Sequence, residues 1–80
     1  MNIERLKQPD IGNLIKSIRH DLQLSQEKFA SQLGVSFSSL NRWENHKAMP
    51  SSLALKNINI YFNSLKDQGK DLLILWAALI

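Results

Sequence analysis

The sequence predicts an all-α fold, a compact bundle of four to five short helices in one small domain. Apolar residues recur at spacings of three and four along most of its 80 residues, which is the period of one helix face. No segment alternates apolar and polar residues as a half-buried strand does. The few glycines and prolines stand singly between the apolar stretches, where they are expected to end helices and form turns.

The first long helix is predicted to begin at Asp10, whose side chain is suited to an N-cap. Its apolar residues recur at i, i+3, i+4 and i+7 and form one stripe, which consists of Ile11, Leu14, Ile15 and Ile18. Residues 1–9 precede this stripe and are predicted to be an N-terminal arm. The helical domain is therefore expected to start at residue 10.

Two short helices should follow, each with a serine at its N-cap. Ser25 caps a helix that Gly34 ends, and Ser36 caps a helix from Phe37 to about Asn45. The apolar residues that they would bury are Phe29, Ala30, Leu33, Leu40 and Trp43. These spacings place two helices on either side of one short turn.

A fourth helix begins at Ser51 or Ser52, after Pro50, and continues to residue 68, which is the predicted end of the domain. Its apolar positions are Leu55, Ile58, Phe62 and Leu65. Residues 69–80 end in LLILWAALI and are predicted to form a last apolar helix. This run is about half of the roughly 20 residues that cross a bilayer, so no membrane span is expected. It either makes a dimer contact or completes the core.

Five residues have the sizes that a helix-turn-helix needs. Two helices can cross steeply only where their backbones come close, and Ala30 is the small residue at that crossing. Gly34 accepts the positive φ that a sharp reversal requires. Val35 turns inward, while Leu40 and Trp43 anchor the second helix to the core. The opposite side of that second helix is left to face outward.

The combined pattern resembles the helix-turn-helix of the lambda-repressor-like family, which includes Xre regulators, phage repressors and Cro proteins. The resemblance extends from about Ile11 to Leu65. It rests on Arg19, on the opening Leu24-Ser25-Gln26-Glu27, on Ala30, on Gly34-Val35-Ser36, on Asn41-Arg42-Trp43-Glu44-Asn45, and on Lys47 and Pro50. It implies double-stranded DNA as the partner and the helix that begins at Phe37 as the recognition helix.

By this resemblance, four residues of the recognition helix should contact bases: Phe37, Ser38, Asn41 and Arg42. Arg42 can pair bidentately with guanine, and Ser38 and Asn41 can bond to base edges. Phe37 can touch a thymine methyl or, alternatively, pack partly buried under the turn. Six residues should bind phosphate: Ser25, Gln26, Ser36, Ser39, Asn45 and Lys47.

The resemblance also implies a structural ion pair between Arg19 and Glu44, which would hold the recognition helix in register. The alternative is two solvated surface charges that contribute little to stability. Two residues depart from the family pattern, because Gln23 and His46 stand where glycine is commonest. Both side chains would be strained if the backbone adopts positive φ at these positions.

These observations predict a sequence-specific transcriptional regulator, a repressor that binds a near-palindromic operator as a dimer through Leu72–Ile80. The net charge of +3 is consistent with a polyanionic partner. The alternative is an antitoxin whose C-terminal tail binds a second protein. With no cysteine and no catalytic or metal-binding spacing in the sequence, we expect no enzyme activity, metal or cofactor. The N-terminus lacks a secretion signal, so a cytoplasmic protein is expected.

Overall fold

The computed structural model describes residues 3–67 and contains four α-helices in this range, with no strand. A short 3-10 helix, Ile3–Arg5, precedes α1 (Asp10–Asp21), α2 (Gln26–Leu33), α3 (Phe37–Glu44) and α4 (Ser52–Asp67). The all-α prediction is confirmed. The predicted last helix and its dimer contact, Leu72–Ile80, lie outside the described residues, and so does the antitoxin's proposed partner surface.

One apolar core joins all five helical segments. Helix α3 packs against both α1 and α2, while α4 packs against α2 and the 3-10 helix. The buried apolar side chains are Ile3, Ile11, Leu14, Ile15, Ile18, Phe29, Ala30, Leu33, Leu40, Trp43, Leu55, Ile58, Phe62 and Leu65. The apolar stripes predicted for the four helices that the structure describes are thus part of the core.

Part of the segment predicted as an N-terminal arm packs into this core. Ile3 is completely buried, and its N–H donates to Asn59 Oδ1 at 3.4 Å. Gln8 lies further along the same segment and donates to one backbone carbonyl of α3 and to one of the α3–α4 connection. Residues 3–8 therefore belong to the same folded unit as the four helices.

The start of α1 differs from the prediction, because the N-cap is Pro9 and Asp10 is the first helical residue. Pro9 has no side-chain acceptor for the free N–H groups of the first turn. Two of them bond elsewhere: Ile11 N–H donates to Lys7 O at 2.9 Å, and Gly12 N–H to Gln8 Oε1 at 3.0 Å. Because a preceding side chain supplies the acceptor, α1 does not need Asp10 as its cap.

The contact of α2 with α4 includes polar and aromatic groups. The hydroxyl of Tyr61 donates to Gln32 Oε1, and the Tyr61 ring meets Phe29 edge-on at 6.1 Å between ring centroids. Desolvation by burial raises the pKa of Tyr61, so the phenol keeps the proton that it donates. In the described part of the chain, no helix has the length and apolar character needed to cross a membrane.

Candidate nucleic-acid interface

The turn between α2 and α3 is built from local backbone contacts. Gly34 has φ of 73°, a left-handed conformation that costs glycine little. Its N–H donates to Ser31 O at 3.2 Å, and Val35 N–H donates to Ala30 O at 3.0 Å. Ser36 Oγ then accepts from Ser39 N–H at 3.0 Å and caps α3. The predicted cap and stop signals are confirmed here, and they fix how α3 leaves the turn.

Helix α3 has one buried side and one open side. Leu40 is completely buried and Trp43 nearly so, which anchors the helix to α1 and α2. On the opposite side, Ser38 and Arg42 are exposed, and Phe37 exposes 48% of its surface. This exposure of Phe37 favours the outward prediction over packing beneath the turn. Asn41 is only half-buried.

Arg19 of α1 and Glu44 at the end of α3 form a bidentate ion pair. Arg19 Nε lies 2.8 Å from Glu44 Oε2, and Arg19 Nη2 lies 2.9 Å from Oε1. The two side chains are only 12% and 2% exposed. Arg19 Nη1 also donates to Leu24 O at 3.0 Å, so the arginine joins α1, the α1–α2 loop and α3. Two solvated charges, the alternative considered from the sequence, do not describe this geometry.

Helix α2 contributes a side chain to the same pair. Gln26, the first residue of α2, donates from Nε2 to Glu44 Oε1 at 3.2 Å. Gln26 Oε1 accepts from Asn41 Nδ2 at 3.1 Å, and Asn41 Oδ1 accepts from Asn45 Nδ2 at 3.2 Å. The N-terminus of α2 is thereby connected to the C-terminal end of α3 through side chains alone. This connection joins two helix ends that are both predicted to contact DNA.

A family model described as helix-turn-helix matches residues 15–66, which is more than half of the chain. The chain belongs to the lambda-repressor-like helix-turn-helix family. Members of this family are DNA-binding transcriptional regulators, so the chain is a DNA-binding helix-turn-helix regulator. Neither the curated proteins nor the solved structures provide a match.

Four of the predicted phosphate ligands keep a hydrogen that they can donate to DNA. Ser25 Oγ accepts from Lys28 N–H at 3.1 Å, which leaves its own hydroxyl hydrogen available. Gln26 uses one of its two Nε2 hydrogens on Glu44. Ser36 Oγ donates to Ser39 Oγ at 2.9 Å, so the hydroxyl hydrogen of Ser39 remains available and that of Ser36 does not. Lys47 is exposed. These donors lie at the N-termini of α2 and α3 and just beyond the C-terminus of α3.

Asn45 differs from the other predicted phosphate ligands, because its side-chain donors point back into the protein. Its Nδ2 donates to Asn41 O at 2.9 Å and to Asn41 Oδ1 at 3.2 Å. Its remaining polar atom, Oδ1, is an acceptor and would repel a phosphate oxygen. Asn45 can therefore bind phosphate only if it exchanges one of these internal bonds.

Gln8, for which the sequence predicts no role, joins α1, α3 and the α3–α4 connection. Its Nε2 donates to Trp43 O at 3.0 Å and to Ala48 O at 2.8 Å, while its Oε1 accepts from Gly12 N–H. These partners lie up to 40 residues away in the chain, so no local pattern marks this glutamine. It holds the connection that carries Lys47 against α1.

Gly12 lies inside α1, at a close contact with the end of α3. A Cβ atom there would stand 2.3 Å from Trp43 O and 2.8 Å from both Gln8 Oε1 and His46 Cδ2. No residue larger than glycine fits this position without a backbone shift. The approach of α1 to the end of α3, and hence the orientation of the recognition helix, depends on this missing side chain.

Proposed function

We propose that this regulator is a repressor that binds a near-palindromic operator as a dimer, with α3 in the major groove. The observation that carries the proposal is the open side of α3, where Phe37, Ser38 and Arg42 are exposed around a helix held by two buried residues. An α-helix fits the major groove of B-form DNA, and its exposed side chains can reach base edges there.

The predicted base-contacting residues would each make a different kind of contact with DNA. Arg42 has the planar fork that pairs with O6 and N7 of guanine, and Ser38 can donate to or accept from a base edge. Phe37 offers an apolar surface to a thymine methyl. Asn41 completes the set predicted from the sequence. We expect Phe37, Ser38 and Arg42 to determine which sequence is bound.

Phosphate contacts should supply affinity without much discrimination between sequences. Ser25, Gln26 and Ser39 lie in the first turns of α2 and α3 or at their caps, where the helix dipole also attracts anions. Lys47 provides a positive charge beyond the end of α3, and Ser36 and Asn45 are the weaker candidates because of their internal bonds. Because phosphate contacts displace cations bound to DNA, the affinity for DNA should fall steeply as the salt concentration rises.

Two-fold symmetry follows from the proposed dimer. A dimer related by a two-fold axis would present two α3 helices to half-sites about 34 Å apart, one turn of DNA. The proposed dimer contact is Leu72–Ile80, and the proposed mechanism is occlusion of RNA polymerase at the operator, in the cytoplasm of a bacterium or of a phage-infected cell. An antitoxin with the same DNA-binding domain is the alternative.

Selection of bound duplexes from a random DNA library at near-physiological salt tests this function. A two-fold symmetric consensus is expected, with half-sites about one turn apart. A consensus without symmetry would contradict the dimer but not the sequence-reading role. Failure to enrich any sequence would contradict the repressor proposal, and a small second protein that co-purifies with the chain would favour the antitoxin.

Replacement of Arg42 by alanine tests the assignment of base contacts. We expect binding to the selected site to weaken by about 1 to 3 kcal/mol and preference to relax at one base pair, because a bidentate contact to guanine is lost. Titration of the selected duplex and of its single-base variants measures both effects. An equal loss on every duplex would show that Arg42 binds phosphate instead.

A further inference from the structure

The hydrogen bonds of Gln26 and Asn41 extend the buried ion pair across the DNA-facing side of the domain. In order, Arg19 bonds Glu44, Glu44 accepts from Gln26, Gln26 accepts from Asn41, and Asn41 accepts from Asn45. This series of hydrogen-bonded side chains starts in α1, reaches α3 at Glu44, crosses to α2 at Gln26 and returns to α3 at Asn41. It ends at the C-cap of α3.

The charge of Glu44 determines the direction of every later bond. An ionised carboxylate only accepts hydrogen bonds, so the atom that Gln26 turns toward it must be the Nε2 donor. The other amide atom of Gln26, Oε1, then faces Asn41. Because Oε1 is an acceptor, the atom of Asn41 that bonds to it must be the Nδ2 donor. Asn41 in turn offers Oδ1 to Asn45. Each amide in this chain has one orientation that satisfies its neighbours.

From this geometry we infer that Asn41 is a positioning residue for DNA binding and not a base reader. Its Nδ2 donates to Gln26 and its Oδ1 accepts from Asn45, which leaves one Nδ2 hydrogen without an internal partner among the described residues. Its side chain is half-buried, whereas Ser38 and Arg42 are exposed. Its bond to Gln26 holds that amide with the free Nε2 hydrogen available at the N-terminus of α2. This inference rests on the proposed function and replaces the base contact predicted for Asn41.

The bond from Asn41 preorganises the Gln26 side chain for phosphate binding. A glutamine side chain that is free in solution must be immobilised when it binds a phosphate, and this ordering weakens binding. Gln26 is already held from two sides, by Glu44 and by Asn41. Without Asn41, the held orientation loses one of its two bonds. Affinity for all DNA sequences should then fall by the same factor, because the phosphate backbone is common to them.

A DNA-free experiment tests the geometry. The side-chain NH2 signals of Gln26 are recorded by NMR in the wild-type chain, in Asn41→Ala, and in Ser38→Ala as a matched variant of the same helix. Shifted Gln26 signals and faster solvent exchange are expected in Asn41→Ala only. Unchanged Gln26 signals in that variant would overturn the inference. If Asn41→Ala does not fold, Asn41→Leu preserves the side-chain volume and removes both bonds.

A double-mutant cycle on DNA tests the role. Asn41→Ala should weaken binding to the selected duplex and to all its single-base variants by the same factor, about two- to tenfold for one side chain newly immobilised on binding. In the Gln26→Ala background, Asn41→Ala should cause little further loss, whereas Ser38→Ala should keep its full effect.

Two results on DNA would overturn the positioning role while leaving the proposed function intact. One is a change in base preference at a single position in Asn41→Ala. The other is an Asn41→Ala effect of full size in the absence of the Gln26 side chain. If the wild-type chain bound no duplex at all, the proposed function itself would fail, and this role with it; the NMR comparison would still report whether Asn41 orients Gln26.

Discussion

The two turns that flank the recognition helix are held in different ways. Before α3, Gly34 takes φ of 73°, and a Cβ atom there would have no neighbour within 4 Å. After α3, the positive-φ residue is His46, at 62°, and its ring Nε2 lies 2.9 Å from Asn13 Oδ1 of α1. Gln8 bonds to carbonyls on both sides of this second turn.

The turn before α3 therefore depends on its own sequence, and the turn after α3 depends on residues distant in the chain. Glycine and the Ser36 cap suffice for the first turn. A histidine in the left-handed region costs free energy, and surrounding contacts must offset that cost. Substitutions at the second turn should therefore also disturb its contacts with α1, whereas the effects of substitutions at the first turn should remain local.

The largest effect is expected from breaking the pair that connects the end of α3 to α1. Arg19→Met leaves the Glu44 carboxylate, which is 2% exposed, without its counter-charge and should lower the free energy of unfolding by about 3 to 5 kcal/mol. Urea denaturation measures this loss. The double variant with Glu44→Met should recover most of it, since two apolar residues need no charge partner. A single variant as stable as wild type would contradict the buried pair.

Two glycine variants compare the two ends of α3 directly. Gly12→Ala drives a Cβ against Trp43 O at 2.3 Å, and we expect a loss of about 3 kcal/mol from overpacking against the backbone. Gly34→Ala meets no atom and should lose only about 1 to 2 kcal/mol, the cost of positive φ for alanine. Thermal unfolding of both variants gives the ranking. The reverse order would mean that the first turn, not the second, is the more tightly constrained.

Gln8→Ala removes the side chain that ties the second turn to the start of α1. Its two donated bonds and one accepted bond are lost, and we expect a decrease of about 2 kcal/mol in unfolding free energy, because some of the freed backbone groups can reach water. The exposed neighbour Lys7 is the matched control, and its alanine variant should change stability by less than about 0.5 kcal/mol. If the two variants were equally stable, Gln8 would not stabilise the contact between the second turn and α1.

The smallest effects are expected at the two non-glycine residues with positive φ. Gln23, at φ of 57°, has an exposed side chain, so Gln23→Gly should stabilise by about 0.5 to 1 kcal/mol through relief of backbone strain. His46→Gly relieves similar strain but loses the contact with Asn13, so its net change should be closer to zero. Chemical denaturation of both variants tests this difference. A larger gain at His46 would show that the Asn13 contact contributes nothing.

Much of the fold follows from local sequence. The Ser25 and Ser36 caps, the Gly34 stop and the apolar stripes involve residues within about four positions of one another, and helical geometry alone brings such residues together. The side of α3 that faces outward followed from the same periodicity. The Arg19 and Glu44 pair was predicted only through family resemblance, because nothing in the spacing of two residues this far apart indicates contact.

Tertiary structure decided the rest, for one physical reason. Whether two polar side chains form a hydrogen bond depends on differences of a few tenths of an ångström in the distance between them. Packing sets this distance for groups that are far apart in the chain. The acceptor at the start of α1 is therefore Gln8 and not Asp10, and Gly12 is a point of close contact with α3. The same reason applies to Asn41, for which the family resemblance implies a base contact but whose side chain donates a hydrogen bond to Gln26. Periodicity predicts which face a residue occupies, whereas its hydrogen-bond partners depend on the folded arrangement of the helices.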